Sequence, residues 1–475
     1  MDLLLKNTLL NSKVFQILRK IVERKKVESY IIGGVVRDMI LNNHDPKDVD
    51  IVCVGNAVDI GKELQKKLVN SSRIKTFKNY GTAMFSWNNI IFEFVGARKE
   101  SYSEESRNPK VSIGSLKDDQ NRRDFTINCL AISLNSSNFG SLIDPFNGLN
   151  DIKKRILRTP LDPDKTFSDD PLRMMRAIRF ATQLDFKIEN QTLLSIQNNN
   201  KRIEIVSKER IVSELHKIIS SKKPSIGFII MDKCNLLSEI LPEISDLKGV
   251  DEIEGYKHKD NFYHTLEVLD NIATYTENIW LRWAALLHDI GKARTKKLVD
   301  GIGWTFHGHE LIGAKMIYKL FKRLKMPLNE KMKYVQKLVF MSSRPIIIAE
   351  DIVTDAAVRR LVFDAGDKID DLICLCKADI TTKNKTKFSE YHKNFEIVTK
   401  KIIEVEKRDK IRNFQPPVNG DLIMRYFNLK PCKEVGQIKE IIKESILEGK
   451  IPNKKSSALE LMKKTGRELG LKAYE

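Results

Sequence analysis

The sequence predicts a small α+β domain at the N-terminus followed by a long all-α body. Two observations carry that division. Residues 28–55 alternate strand and helix signals. From Asp151 onward apolar residues recur at i, i+3, i+4, and glycine and proline become sparse except at joints such as Arg344-Pro345 and Gln415-Pro416-Pro417. With 475 residues and 41% hydrophobic content, the chain can bury two to four domain cores. We place the domains at 1–150 (the α+β head), 151–250 (a helical neck), 251–385 (a second helical domain) and 386–475 (a helical tail).

Taken in order, MDLLLKNTLLNSKVFQILRK reads as a first helix, because it lacks the basic n-region and small-residue cleavage site of a signal peptide. SYIIGG is a short β-branched run stopped by two glycines, VVRDMIL begins a helix, and VDIVCVG is a second strand. TAMFSW and IIFEFVGAR are two more strands, separated by the turn-like Asn88-Asn89. The polar stretch from Glu100 to Asp119 reads as a loop, and TINCLAISL resumes an apolar run. In the body, MMRAIRFATQL, ERIVSELHKIIS and FYHTLEVLDNIATY each show one apolar helical face.

The formal net charge is +19, from 82 Lys+Arg against 63 Asp+Glu. Such an excess fits a polyanionic partner, and equally fits lysines on solvated faces. No stretch approaches the ~18 apolar residues of a membrane span. Six scattered cysteines without a CxxC pair suit a reducing cytosol, so a cytoplasmic location is expected.

Two constellations carry chemistry in the head. Gly33-Gly34-Val35-Val36-Arg37-Asp38 is followed by Asp48-Val49-Asp50 at the mouth of the second strand. Residues i and i+2 of a strand share a face, so the carboxylates of Asp48 and Asp50 project together and repel unless a cation such as Mg²⁺ lies between them. A Gly-Gly turn lets backbone N–H groups approach a triphosphate. Glu93, between Phe92 and Phe94, faces opposite to both and is the expected third carboxylate; a solvent-facing glutamate is the plainer alternative. Next, Arg122-Arg123-Asp124 can clamp phosphates and accept from a ribose hydroxyl, with Asn128 close behind. As a plainer alternative, it is a charged helix start.

Asp169-Asp170-Pro171-Leu172-Arg173 then opens a helix that also carries Arg176 and Arg179. Its plain reading is a helix cap. Its functional reading is a base reader: Asp170 accepts and Arg173 donates from one helix face. Cytosine and adenine complement that pair, each offering an exocyclic amine beside a ring-nitrogen acceptor, whereas uracil and guanine present the reverse.

Together with IDPFNG (Asp144–Gly148) and ERIVSEL (Glu209–Leu215), these motifs resemble the class II CCA-adding tRNA nucleotidyltransferases and related bacterial poly(A) polymerases, over about half the chain. The resemblance implies metal binding by Asp48 and Asp50, catalysis aided by Glu93, and nucleotide binding by Gly33, Gly34, Arg37, Arg122, Arg123, Asp124, Asn128, Asp170, Arg173, Arg176 and Arg179. It implies ribose recognition by the RRD motif and base selection by Asp170 and Arg173. Asp169 stands where the family usually has Glu, and Gln120 where leucine is common.

Farther on, RWAALLHDIGK followed by FHGHELIGAKM resembles the HD phosphohydrolase superfamily, and His258, His264, His307 and His309 cluster around it. That resemblance implies His264, His288, Asp289 and Asp379 as ligands of a divalent transition metal, with His309 a further candidate. Related domains often carry LxxHHMRP where this chain reads LVFMSSRP, so Met341 and Ser342 replace histidines and a two-metal site is left open. The helix around GQIKEIIKES reads as basic and amphipathic, either a grip on a tRNA arm or a solvated bundle face.

The expected activity is therefore CCA addition to tRNA from CTP and ATP with Mg²⁺ at the head, and no obligate protein partner. Poly(A) synthesis or addition of CC or A alone shares every head motif. A metal-dependent phosphohydrolase acting on nucleotides is the alternative of another class.

Overall fold

The structure is a computed structural model that describes all residues except 1–11, 42–47, 78–80, 104–105, 251, 254–255, 258–259, 351–353, 383, 410, 413 and 475. It divides into two compact units, residues 1–242 and 243–475. The expected head and most of the neck fall in the first, and the end of the neck, the HD domain and the tail in the second.

In the first unit a mixed seven-stranded sheet is built from β1 (Ser29–Ile32), β2 (Asp48–Cys53), β3 (Lys75–Phe77), β4 (Thr82–Trp87), β5 (Ile90–Gly96), β8 (Ala131–Ser133) and β9 (Leu142–Ile143), in the order β3-β4-β5-β2-β1-β8-β9. All neighbours are antiparallel except β2 and β5, which run parallel with Asp50 in register with Glu93. Asn88 and Asn89 close the β4–β5 hairpin with φ of 49° and 62°, the left-handed two-residue turn that asparagine tolerates. Strand alternation then sorts the faces. Phe85 stacks on Phe92 and Phe94 at 5.6 and 6.1 Å, and these buried rings lie under the helix Ala57–Lys67, which Lys13–Lys25 covers in turn. The opposite face carries the acids. Of the expected first helix, residues 1–11 lie outside the described residues and Lys13–Lys25 is helical.

The stretch read as a loop from Glu100 to Asp119 is instead a hairpin, β6 (Arg98–Ser103) and β7 (Ser106–Ile113), followed by a short helix, α1 (Leu116–Asn121). The hairpin lacks the apolar alternation that marks a half-buried strand, so its pairing left no period-2 signal. Helix α1 begins with a capping box between Ser115 and Asp118. Helices α2 (Leu172–Leu184) and α3 (Lys208–Ile219) follow and pack on each other through faces that include Ile178, Ala181, Ile211 and Leu215.

The second unit is helical, as expected. Helices α4 (Asn261–Tyr275), α5 (Ile279–Leu287), α6 (His309–Arg323), α7 (Glu330–Met341) and α8 (Ile369–Asp379) enclose a core that includes the fully buried Trp283, and α9 (Lys385–Asp409) packs on α8. A small hairpin, Lys297–Val299 with Gly303–Thr305, precedes α6. In the tail, α10 (Gly420–Phe427) is capped by Asn419 and leads to α11 (Lys433–Leu447). Val435, Ile438, Ile442 and Ile446 form the buried stripe of α11. Its lysines are matched by Glu434, Glu440 and Glu444, so the helix expected to be basic is charge-balanced. Among the described residues no helix is long and apolar enough to cross a membrane.

Candidate functional site

On the open face of the sheet, Asp50 and Glu93 sit side by side on β2 and β5 and line a cleft of about 500 Å³. Asp48, two residues earlier on β2, is exposed and lies outside the cleft lining. Burial raises the Asp50 carboxyl above the usual range; Arg123 pulls it back, and Asp48 and Asp119 push it up. Glu93 is raised by burial and then by Asp50 and Asp48. These acids therefore carry more negative charge than the fold neutralises, which fits a cation.

Gly33 has φ of +87° and ψ of −140°, a region closed to other residues. A Cβ there would stand 2.8 Å from Arg123 Nη1 and 3.5 Å from Asp50 Oδ2. The Gly-Gly turn is thus pressed against the very groups it was expected to accompany, although neither Gly33 nor Gly34 lines the cleft.

Across the cleft stand Arg98, Arg122, Arg123, Asp124, Asp170, Arg173 and Arg176. Arg122 and Arg123 are held from behind by Asp119, which is fully buried on α1. Arg122 Nε donates to Asp119 Oδ1 at 2.9 Å, and Arg123 Nε to Asp119 Oδ2 at 3.1 Å. The second nitrogen of each guanidinium meets the same oxygen. Asp124 is also buried. Burial opposes its ionisation, but Arg176, a hydrogen bond from Asn128 and Arg173 hold its carboxyl down at about 2. Its Oδ1 accepts from Phe125 N–H and Asn128 Nδ2, both at 3.0 Å, and its Oδ2 meets Arg176 Nε and Nη2 at 2.7 Å.

Asp170 Oδ1 accepts from Leu172 N–H at 3.2 Å, so the acid does cap α2; it also lines the cleft with Arg173, whose Nη2 donates to the Arg122 carbonyl. The cap and the base reader coexist at one residue. Three other expected nucleotide ligands are drawn into a support network outside the cleft lining. Arg37 donates to Asn128 Oδ1 at 2.8 Å and to Asp38 at 2.8 and 3.0 Å, while Arg179 pairs with Glu214 at 2.6 Å. Phe180 binds this network together, with the guanidiniums of Arg37, Arg176 and Arg179 at 5.0, 5.4 and 3.9 Å from its ring.

The second constellation lies within the other unit. His264 comes from α4, His288 and Asp289 follow α5 directly, and Asp379 ends α8. His264 Nε2 is 2.9 Å from Asp379 Oδ1, and His288 Nε2 is 3.2 Å from Asp289 Oδ2 and 3.4 Å from Asp379 Oδ1. Among the described residues, His264, His288 and Asp379 are the group whose donor atoms all close to within 4.8 Å. Each Nδ1 is occupied elsewhere: His264 by Thr381 Oγ1 at 2.9 Å and His288 by the Ala285 carbonyl at 2.8 Å. Both Nε2 atoms therefore face the carboxylates, and buried His288 Nε2 makes no well-formed hydrogen bond there. The donor set, two imidazoles and carboxylate oxygen, suits a divalent transition metal.

His309 Nε2 stands 3.4 Å from Asp289 Oδ1, whereas Lys292 occupies Asp289 Oδ2 at 2.7 Å. His307 is exposed, and His258 lies outside the described residues. Met341 and Ser342 are buried at the end of α7 and supply neither imidazole nor carboxylate.

Sequence reasoning missed Asp119, Arg98 and Phe180. For Asp119 a signal existed, since it sits three and four residues before the two arginines and so shares their side of a helical turn.

The profile described as "Poly A polymerase head domain" matches residues 29–158, the sheet with the acid and Arg122–Arg123 side of the cleft, so the class is a nucleotidyltransferase head. Behind it, "Probable RNA and SrmB- binding site of polymerase A" matches residues 185–248, and "HD domain" matches residues 261–384. An A-adding tRNA nucleotidyltransferase of Deinococcus radiodurans is 30% identical over 345 residues, 71% of this chain and 76% of that protein. A multifunctional CCA protein of Shewanella frigidimarina is 31% identical over 385 residues, 76% and 86% of the two chains. The chain belongs to the tRNA nucleotidyltransferase family. A Thermotoga maritima CCA-adding enzyme solved with tRNA shares the fold with a TM-score of 0.60, at 21% identity over 96% of this chain and 94% of that one.

Proposed function

We propose that this chain completes the 3′ CCA end of tRNA, taking CMP and AMP from CTP and ATP without a template. One observation carries the reading: a single cleft is lined by Asp50 and Glu93, by Arg122 and Arg123, and by Asp170 and Arg173. Asp48, Asp50 and Glu93 would hold Mg²⁺, which supplies positive charge beside the attacking 3′-hydroxyl and the leaving pyrophosphate. Arg122 and Arg123 hold the triphosphate, so that the 3′-hydroxyl meets the α-phosphorus and pyrophosphate departs along the arginine wall. Asp170 accepts from the exocyclic amine of C or A, and Arg173 donates to the ring nitrogen. A ribose hydroxyl reaching Asp124 competes with Arg176 for Oδ2.

The HD cluster would hold one divalent transition metal through His264, His288 and Asp379, with Asp289 beside them. The buried Met341 and Ser342 leave a second ion without its usual ligands.

A second reading, addition of A alone, is favoured by relatives from Deinococcus radiodurans and Aquifex aeolicus that are named A-adding enzymes. Incubation of tRNA lacking CCA, and of tRNA ending in CC, with each of four labelled nucleotides separates them. CCA addition predicts C and A incorporation on the first and one A on the second. Labelling of CC-ended tRNA only, or a long A tail, overturns it.

A further inference from the structure

We propose that Asp119 is a positioning residue of the triphosphate clamp, fixing the spacing of the two guanidiniums without itself entering the cleft. This rests on the reading of Arg122 and Arg123 as that clamp. Two adjacent arginines repel each other and, on flexible side chains, would diverge. Asp119 places one on each of its carboxylate oxygens: Arg122 Nε at 2.9 Å from Oδ1 and Arg123 Nε at 3.1 Å from Oδ2, with a second nitrogen of each on the same oxygen. A carboxylate has a fixed oxygen spacing, so the two planar forks are registered against one rigid template. Their remaining N–H groups belong to side chains that line the cleft, whereas Asp119 is fully buried and absent from its lining.

Further packing makes the arrangement stiff. Arg123 Nη1 also donates to the Asn128 carbonyl at 3.4 Å and lies where a Cβ on Gly33 would fall. The neighbouring Gln120 anchors α1 by donating to the Cys129 carbonyl at 2.8 Å. A group that only stabilised the head would have no reason to divide its two oxygens between the two phosphate-facing side chains.

The test is steady-state kinetics of Asp119→Asn in the full chain with tRNA and Mg²⁺, using inorganic pyrophosphate as a second probe. KM for CTP and for ATP and the inhibition constant of pyrophosphate should rise together by about 10- to 100-fold, the usual effect of removing a supporting residue. Preference for CTP over UTP should stay unchanged, because the base reader is untouched. Combining Asp119→Asn with Arg123→Ala should cost less than the sum of the two single losses, since part of the Asp119→Asn effect runs through Arg123 and residues acting as one unit are not additive. Unchanged KM and inhibition constants in a folded Asp119→Asn protein, or fully additive losses, overturn the proposal. If that variant does not fold, Arg122→Lys and Arg123→Lys keep the charge but cannot dock two nitrogens on Asp119. They should show the same joint rise, and normal constants overturn the proposal. Should Arg122→Ala and Arg123→Ala themselves leave both constants unaltered, the clamp reading fails instead.

Discussion

The head cleft and the HD cluster both gather acids, yet they handle the charge in opposite ways. In the head, Asp50 and Glu93 stand in register on neighbouring strands, burial raises both carboxyls and Asp48 adds to each, while the arginines line the same open cleft. In the HD cluster the acids are pressed against imidazoles within 3.5 Å. Burial opposes ionisation of Asp289 and Asp379, but His288 and its neighbours hold both carboxyls down. The lesson concerns what each site waits for. The sheet leaves its charge for an incoming cation and polyanion, whereas the helical cluster sets its imidazoles directly against its carboxylates.

The largest expected effect breaks the comparison on the head side. Asp50→Ala should lower nucleotide addition by on the order of 10³-fold or more while tRNA binding stays near wild type, because binding rests on basic surface elsewhere. Substantial residual addition in single-turnover assays would remove Asp50 from the metal site.

On the other side, His288→Ala should weaken metal retention at the HD cluster by more than the roughly 100-fold that a supporting residue costs. Chelator competition followed by elemental analysis measures it. Addition to tRNA should be spared, and a parallel loss of addition would show that the two sites are not independent.

A smaller change is expected in base choice. Arg173→Ala should lower the preference for CTP and ATP over UTP and GTP by about 1–3 kcal/mol, or roughly 5- to 150-fold. If all four nucleotides slow equally at an unchanged melting temperature, the acid–arginine base reader is wrong for this chain.

The smallest effect concerns stability of the metal-free protein. Asp50 has a folded-state pKa raised above its ordinary value, so its contribution is best when protonated and is lost as pH rises through the raised pKa. At neutral pH the ionised carboxylate therefore costs stability, and Asp50→Asn should raise Tm by no more than a few degrees. The gain should fade as pH falls below the ordinary carboxylate range. Asp379→Asn should do the reverse at neutral pH, because it removes the buried carboxylate that holds His288 protonated and lies against His264. A lower Tm for Asp50→Asn at neutral pH would mean that the head acids are already compensated.

Legibility followed the same divide. Strand alternation alone put Asp48 and Asp50 on one face and Glu93 opposite its phenylalanines; the pairing of β2 with β5 then set Glu93 beside Asp50. The hairpin at 98–113 escaped detection because pairing between strands without apolar alternation has no periodic trace. Arg37, Asn128 and Arg179 carry the motif identities of nucleotide ligands, yet their partners Asp38, Glu214 and Phe180 draw them into the support behind the cleft.

By itself the sequence determined the α+β head, the helical body and the chemistry of each motif, since periodicity and short spacings are local properties. Tertiary structure alone decided which of these groups meet. Asp379 joins His288 across ninety-one residues of chain, and Asp119 turns two neighbouring arginines into one registered pair. Both depend on burial, which brings distant charges into contact and is set by the packing of whole helices rather than by any local pattern.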